Sequence, residues 1–326
     1  MKVAFLTEMA FEGKVAHDHP NLRTEFAWMA ALDADHRNIH LYRQVKGYDH
    51  VFIIFPKGKT FLSAEGSTLV KEKNPVSELL REPIAEVLKK YNTKVHYIQE
   101  GPHWWFNDYE VSDQIYFYNL VAQCDTVLAH NNVDVQYYAG MFPSKPVQVI
   151  PSLMLEHSVA GIKPAKLDKA IIGGNFSRWY GGFESYVVAS NFKVPIWTQT
   201  SHARREEESL IANLNHLPRL IWVQWMKALS EFKYAVHLMP TVAAGTFSLN
   251  CAYFGIPCIG NQEVDTQSVC HPQLAIKVSN IQLANELAKL LATDKDFYNK
   301  CSDYAKKAYH ETYSLAAWKI RMSNIL

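Results

Sequence analysis

Short runs of β-branched and aromatic residues, each trailed by a stretch whose apolar positions fall at helical spacing, recur along this chain almost from end to end. A run such as Val3-Ala4-Phe5-Leu6, apolar at every position, suits a strand buried on both faces, as in a parallel sheet covered by helices. Further strands are expected at residues 39–42, 51–55, 94–98, 126–129 and 147–150, with helices at 23–32, 77–91 and 115–122. Residues 151–168 mix proline, glycine and small residues without a period and read as a connection. The alternation then restarts, with strands at 169–172, 194–198, 219–223, 234–239 and 256–259. The helices of this half fall at 183–189, 225–232, 248–254, 283–291 and 296–313. Such alternation predicts an α/β protein of two Rossmann-like, doubly wound parallel-sheet domains, residues 1–160 and 161–326, facing a central cleft. The last helix is placed to pack back on the first domain.

Charge narrows the partners. The chain carries 33 Lys and Arg against 32 Asp and Glu, which excludes a long polybasic tail but not a local basic patch. Residues 1–165 sum to −3 and residues 166–326 to +4, so the second half is the better host for a phosphorylated ligand. No run approaches the ~18 apolar residues of a membrane span, and Glu8 comes too early for a signal peptide. Five scattered cysteines without a C-x-x-C pair fit a reducing cytoplasm better than a disulfide scaffold or structural zinc.

Two loops stand out in the second half. Ile171-Ile172-Gly173-Gly174-Asn175-Phe176-Ser177-Arg178 runs from a buried strand through two glycines to an arginine, just before a helix. Glycine lets the backbone approach an anion, a helix start offers free N–H groups, and Arg178 can grip a phosphate through two nitrogens. The bland alternative is a strand-to-helix turn that needs flexible residues. The second loop, Met239 to Ser248, places Gly245, Thr246, Phe247 and Ser248 at the start of another helix, where N–H and hydroxyl groups converge; simple capping is its bland reading. Together the two loops point to an anionic, nucleotide-type ligand gripped from both sides.

The tandem α/β plan, the small-residue loop before a helix, Gly255-x-Pro257-x-x-Gly260 and the late C-terminal helices resemble a GT-B glycosyltransferase over the whole chain. The resemblance implies a nucleotide-sugar site in the C-terminal domain and an acceptor site in the N-terminal one. Where GT-B donor loops carry two glutamates eight positions apart, this chain has Val242 and Asn250. Within GT-B, Gly173-Gly174-Asn175-Phe176-Ser177-Arg178, Glu184-Ser185 and Glu263-Val264-Asp265-Thr266 are similar to segments of phage DNA β-glucosyltransferases. That likeness implies transfer of a sugar from a UDP-sugar (glucose, or a pentose such as arabinose) to the hydroxyl of a modified pyrimidine in duplex DNA. The base would be flipped out of the stack. It also implies no tightly bound cofactor, no required divalent metal and a host-cytoplasm setting. A GT-B enzyme acting on a glycan, lipid or small molecule is the alternative.

Sugar transfer needs a base for the acceptor hydroxyl proton. Glu100 ends a predicted strand and sits where the DNA glucosyltransferases keep a catalytic aspartate, one methylene shorter. Asp18, in His17-Asp18-His19 after the first strand, is the second candidate and Asp108 the third. His17 and His19 also have loop spacing for a metal, but no third ligand is foreseen, and Asp33-Ala34-Asp35 reads as a helix-end turn rather than a metal motif. His103-Trp104-Trp105-Phe106 offers a stacking surface for a base or sugar, or a loop anchor. Lys57, Lys59, Lys71 and Lys73 flank a small-residue stretch that could touch a phosphate backbone.

Overall fold

The computed structural model describes residues 1–9, 11–54, 84–108, 111–174, 176, 179–199 and 206–326. Asn175, Ser177, Arg178 and the four lysines at 57, 59, 71 and 73 lie outside the described residues. The chain divides into two compact units. One comprises Met1–His19, Glu25–Pro151 and Met322–Leu326, and the other Pro20–Thr24 and Ser152–Arg321.

In the first unit the strands are β1 (Val3–Thr7), β2 (Gly13–Lys14), β3 (Asp35–Asn38), β4 (His50–Ile54), β5 (Lys94–Ile98), β6 (Thr126–Ala129) and β7 (Val147–Val149). They form a sheet of order β2-β3-β1-β4-β5-β6-β7, parallel throughout except for the short antiparallel β2. Helices α1 (Thr24–Ala31), α2 (Ile84–Lys89), α3 (Val111–Gln123) and α4 (Asn132–Met141) connect the strands. Strand alternation divides the core. Leu6, Ile53 and Tyr97 join Leu88, Leu120 and Tyr138 in one cluster. On the opposite side Phe5 stacks on Phe52 at 4.8 Å, and Phe52 on His96 at 4.6 Å.

The second unit contains β8 (Leu167–Ile172), α5 (Gly182–Ala189), β9 (Ile196–Gln199), β10 (Leu214–Leu217), α6 (Trp222–Leu229), β11 (Phe232–His237), α7 (Thr246–Phe254), β12 (Cys258–Asn261), α8 (Asp265–Cys270), β13 (Ala275–Ile276), α9 (Ile281–Thr293), α10 (Lys295–Tyr313) and α11 (Leu315–Met322). Its sheet order, β10-β9-β8-β11-β12-β13, is wholly parallel. From β8 the chain winds to one side through β9 and β10, then returns to β11 and winds to the other. The loops after β8 and β11 therefore diverge from neighbouring strands, which is where doubly wound sheets bind ligands. Among the described residues no helix is long and apolar enough to cross a membrane.

Two local expectations are corrected. The strand expected at 39–42 is a 3₁₀ segment (Ile39–Val45), and the strand is the polar Asp35–Asn38 just before it. Among the described residues its outward neighbour is the short β2, so it does without two apolar faces. Within it the buried His36 ring is held by Thr7 Oγ1 at 2.8 Å and by the Phe11 carbonyl at 2.6 Å. The strand expected at 219–223 is a loop running into α6, whose Trp222, Trp225, Met226 and Leu229 are buried at helical spacing. Helix α4 was not expected at all.

Candidate functional site

The loops after β8 and β11 are held by hydroxyl groups rather than by apolar packing alone. Thr198 Oγ1 donates to the Gly174 carbonyl at 2.8 Å. Ser185, wholly buried in the first turn of α5, donates to Gly181 O at 2.7 Å and accepts the Leu238 N–H at 2.9 Å. The start of α5 is thereby tied to the chain leaving β11. Thr266, the second residue of α8, donates to Gly245 O at 2.8 Å and shares a 2.7 Å contact with Ser248 Oγ.

The glycines fit these braces closely. Gly174, Gly181 and Gly245 adopt φ of +81°, +59° and +66°, a backbone region that residues with a Cβ seldom enter. A Cβ on Gly245 would lie 1.9 Å from Thr266 Oγ1, and one on Gly181 1.9 Å from Leu238 O. Gly173 lacks positive φ, but a Cβ there would meet the His237 ring at 2.6 Å and Phe247 at 2.9 Å. Close packing inside the domain accounts for each of these glycines.

What the loops offer a ligand is backbone. Gly181 and Gly245 occupy the N-cap positions of α5 and α7, and neither helix start carries a side-chain cap. The first-turn N–H groups of a helix have no partners within it and sit at its positive end. Ser248 is turned inward and buried, its hydroxyl bonded to Gly245 O at 3.0 Å. Thr246 is half-buried and Phe247 buried. The His237 ring packs edge-on against Phe247 at 5.0 Å, and burial lowers its pKa to about 4. At neutral pH the His237 ring is therefore uncharged. Val242 and Asn250, which replace the usual acidic pair, are both buried.

In the first unit, Glu100 lies two residues past the end of β5 and is half-buried. Buried Gln99 governs its loop: Tyr97 and Tyr138 hydroxyls donate to Gln99 Oε1, the latter at 2.6 Å. The Gln99 amide in turn donates to the Gly101 and Pro102 carbonyls at 3.2 and 3.3 Å. Asp18 lies on an exposed turn, and its neighbour His19 stacks on Phe26 at 4.4 Å. Among the described residues no group of three or more His, Cys, Asp or Glu is placed to hold a metal.

The structure gives His103 a partner that the sequence did not announce. Asp134, fully buried at the start of α4, accepts from the His103 backbone N–H at 3.0 Å and from Nδ1 at 2.7 Å. Asn131 donates to the other Asp134 oxygen at 2.8 Å. The imidazole stacks on Tyr137 at 4.2 Å, and Trp104 and Trp105 follow it in a 3₁₀ turn. The missed signal was Asn131-x-x-Asp134, an N-cap residue with an acid three positions on.

No family model and no curated protein matches this sequence. Solved structures do match its fold. An α-glucosyltransferase in complex with UDP-glucose and DNA containing an abasic site aligns over 99% of this chain and 98% of its own, with TM-score 0.65 and 10% identity. The Anabaena protein HepE, with UDP and glucose, aligns over 100% and 99% at TM-score 0.67 and 9% identity. Sucrose-phosphate synthase of Thermosynechococcus elongatus aligns over 100% and 98% at TM-score 0.60 and 13% identity. At these identities the likeness is one of fold, and the fold is GT-B: two Rossmann-like parallel-sheet domains in tandem.

Proposed function

We propose that this chain is a nucleotide-sugar-dependent glycosyltransferase that moves glucose, or a pentose such as arabinose, from a UDP-sugar to DNA. The acceptor is the hydroxyl of a modified pyrimidine of the hydroxymethyl- or hydroxycytosine type. The observation that carries this reading is the pair of uncapped, glycine-led helix starts after β8 and β11, at the switch point of a sheet whose fold matches UDP-bound enzymes end to end. Backbone N–H groups there suit a diphosphate, and Asn175, Ser177 and Arg178 belong to the same loop. The first domain takes the acceptor, with His103, Trp104 and Trp105 on its stacking side, and the second holds the donor. The DNA acceptor draws on the α-glucosyltransferase solved with UDP-glucose and DNA and on the adjacent Trp104 and Trp105 of the first half.

In the transfer, the acceptor oxygen bonds to the anomeric carbon while the bond from that carbon to the phosphate oxygen breaks and UDP leaves. The hydroxyl proton passes to a carboxylate, with Glu100 the first candidate and Asp18 the second. The test is mass analysis of nucleosides from hydroxymethylated DNA after incubation with the protein and a panel of UDP-sugars. One nucleoside gains a hexose or pentose mass; no gain with any donor overturns the reading. Glu100→Gln lowers turnover at least about a hundredfold if Glu100 is the base, and Asp18→Asn does so if Asp18 is. Near-neutral net charge favours a second reading, a glycan or small-molecule acceptor. Duplex binding that is insensitive to salt supports that alternative, because phosphate contacts release counterions.

A further inference from the structure

Gln99 sits between the end of β5 and Glu100, and it is wholly buried. Its Oε1 accepts from the hydroxyls of Tyr97 and Tyr138. Burial raises both phenol pKa values, so both hydroxyls remain donors at neutral pH. With Oε1 committed to two donors the amide cannot flip, and Nε2 must face the other way. There it meets three consecutive main-chain carbonyls, Glu100 O at 3.4 Å, Gly101 O at 3.2 Å and Pro102 O at 3.3 Å. The chain curls around this one nitrogen, with Gly101 at φ +87° making the turn.

Helix α4 grips the same loop at two positions one turn apart. Tyr138 holds Gln99, and Asp134 accepts the His103 backbone N–H at 3.0 Å. Glu100 lies between these two anchors. A leucine at position 99 would pack in the core without the cost of desolvating an amide. It would not hold the carbonyls that set where the Glu100 side chain leaves the backbone.

We propose that Gln99, fixed by Tyr138, is a positioning residue for the Glu100 carboxylate, which rests on the reading of Glu100 as the base of the transfer proposed above. A base must lie within hydrogen-bond reach of the hydroxyl that it deprotonates, and a displacement of about 1 Å can cost about a hundredfold in rate. Gln99 touches neither substrate in this scheme. It acts by keeping the backbone under Glu100 in one conformation.

The test is a double-mutant cycle in the full chain, with turnover measured on hydroxymethylated duplex DNA and UDP-glucose or UDP-arabinose, whichever is the donor. Tyr138→Phe removes one hydroxyl and keeps the ring, and Gln99→Leu removes the whole amide. Tyr138→Phe lowers kcat about tenfold and Gln99→Leu lowers it further, while KM for the UDP-sugar is unchanged. In a Glu100→Gln background neither substitution lowers turnover again, because each acts through the carboxylate. Tyr138→Phe decides the matter where Gln99→Leu fails to fold. A wild-type kcat in Tyr138→Phe overturns the proposal. So does a loss by the same factor with and without the Glu100 carboxylate, which marks a purely structural role. Glu100→Gln that turns over as fast as the wild type overturns the reading of Glu100 as the base, and the role of Gln99 with it; a wild type that transfers no sugar overturns the glycosyltransferase reading itself.

Discussion

A methyl group at position 173 has nowhere to go. Gly173 is pressed against His237 and Phe247, so Gly173→Ala costs about 2 kcal/mol as overpacking, read as a lower urea midpoint. Gly173→Ala combined with His237→Ala recovers part of that loss, because the imidazole is what the methyl strikes. The Gly-Gly pair was visible in the sequence, but the imidazole that demands its first glycine lies 64 positions away by numbering, and local spacing cannot reveal it. Asp134 shows the same limit more sharply. Its carboxylate accepts three hydrogen bonds, two from His103 and one from Asn131. Asp134→Ala strands those donors and destabilises the first unit by about 3 kcal/mol. Circular dichroism melts check the cost, and loss of the downfield His103 Nδ1 proton in NMR checks the cause.

Helices α5 and α7 were legible because their apolar spacing and flanking glycines agree, whereas α8 and α11 were not expected. Strands such as Thr126–Ala129 were legible because a short apolar run between turn residues suits a strand buried on both faces. Helix α4 escaped notice since Tyr137 and Met141, on its solvent side, are exposed and blur its period. Its start is nonetheless marked: Asn131 caps it through its side-chain oxygen, 2.8 Å from the Asp134 N–H. Asn131→Ala therefore costs about 1 kcal/mol as a lost cap, with a further loss from the amide that holds Asp134. Hydrogen exchange in the first turn of α4 rises in this variant before exchange elsewhere does. Two strands were misplaced: β3 is polar because its position near the sheet edge permits it, and of residues 219–223 only Trp222, the first residue of α6, is buried. Burial, rather than strand propensity, set the pattern of β3.

Among the described residues of the whole molecule, three histidines lie well below their ordinary value of 6.5. Burial brings His96, His237 and His271 each to about 4. His96 has a second reason, since its Nε2 lies 2.9 Å from Nδ1 of His50 and the pair accommodates one proton between them. Lys94 opposes protonation there, and Asp125 favours it. A folded-state pKa below the unfolded one means that only the unfolded chain takes the proton between 6.5 and 4. The associated stability is complete above about 6.5 and is lost as pH falls toward 4. Urea midpoints measured from pH 7.5 to pH 4.5 fall steadily, and a flat profile contradicts the argument. The tandem plan itself was readable from the alternation, whereas the path of the chain between units was not. Residues 20–24 group with the second unit although they are made with the first. The Thr24 N–H bonds to Leu153 O, and Leu22 O accepts from Leu155 N–H, while the Asn21 side chain receives the Trp222 N–H from 201 positions later. On the ribosome this five-residue tab must wait through most of translation before its mates emerge. A gene cut cleanly at codon 152 would yield a downstream fragment missing a piece of its own interior, one that could be restored by supplying the short peptide in trans.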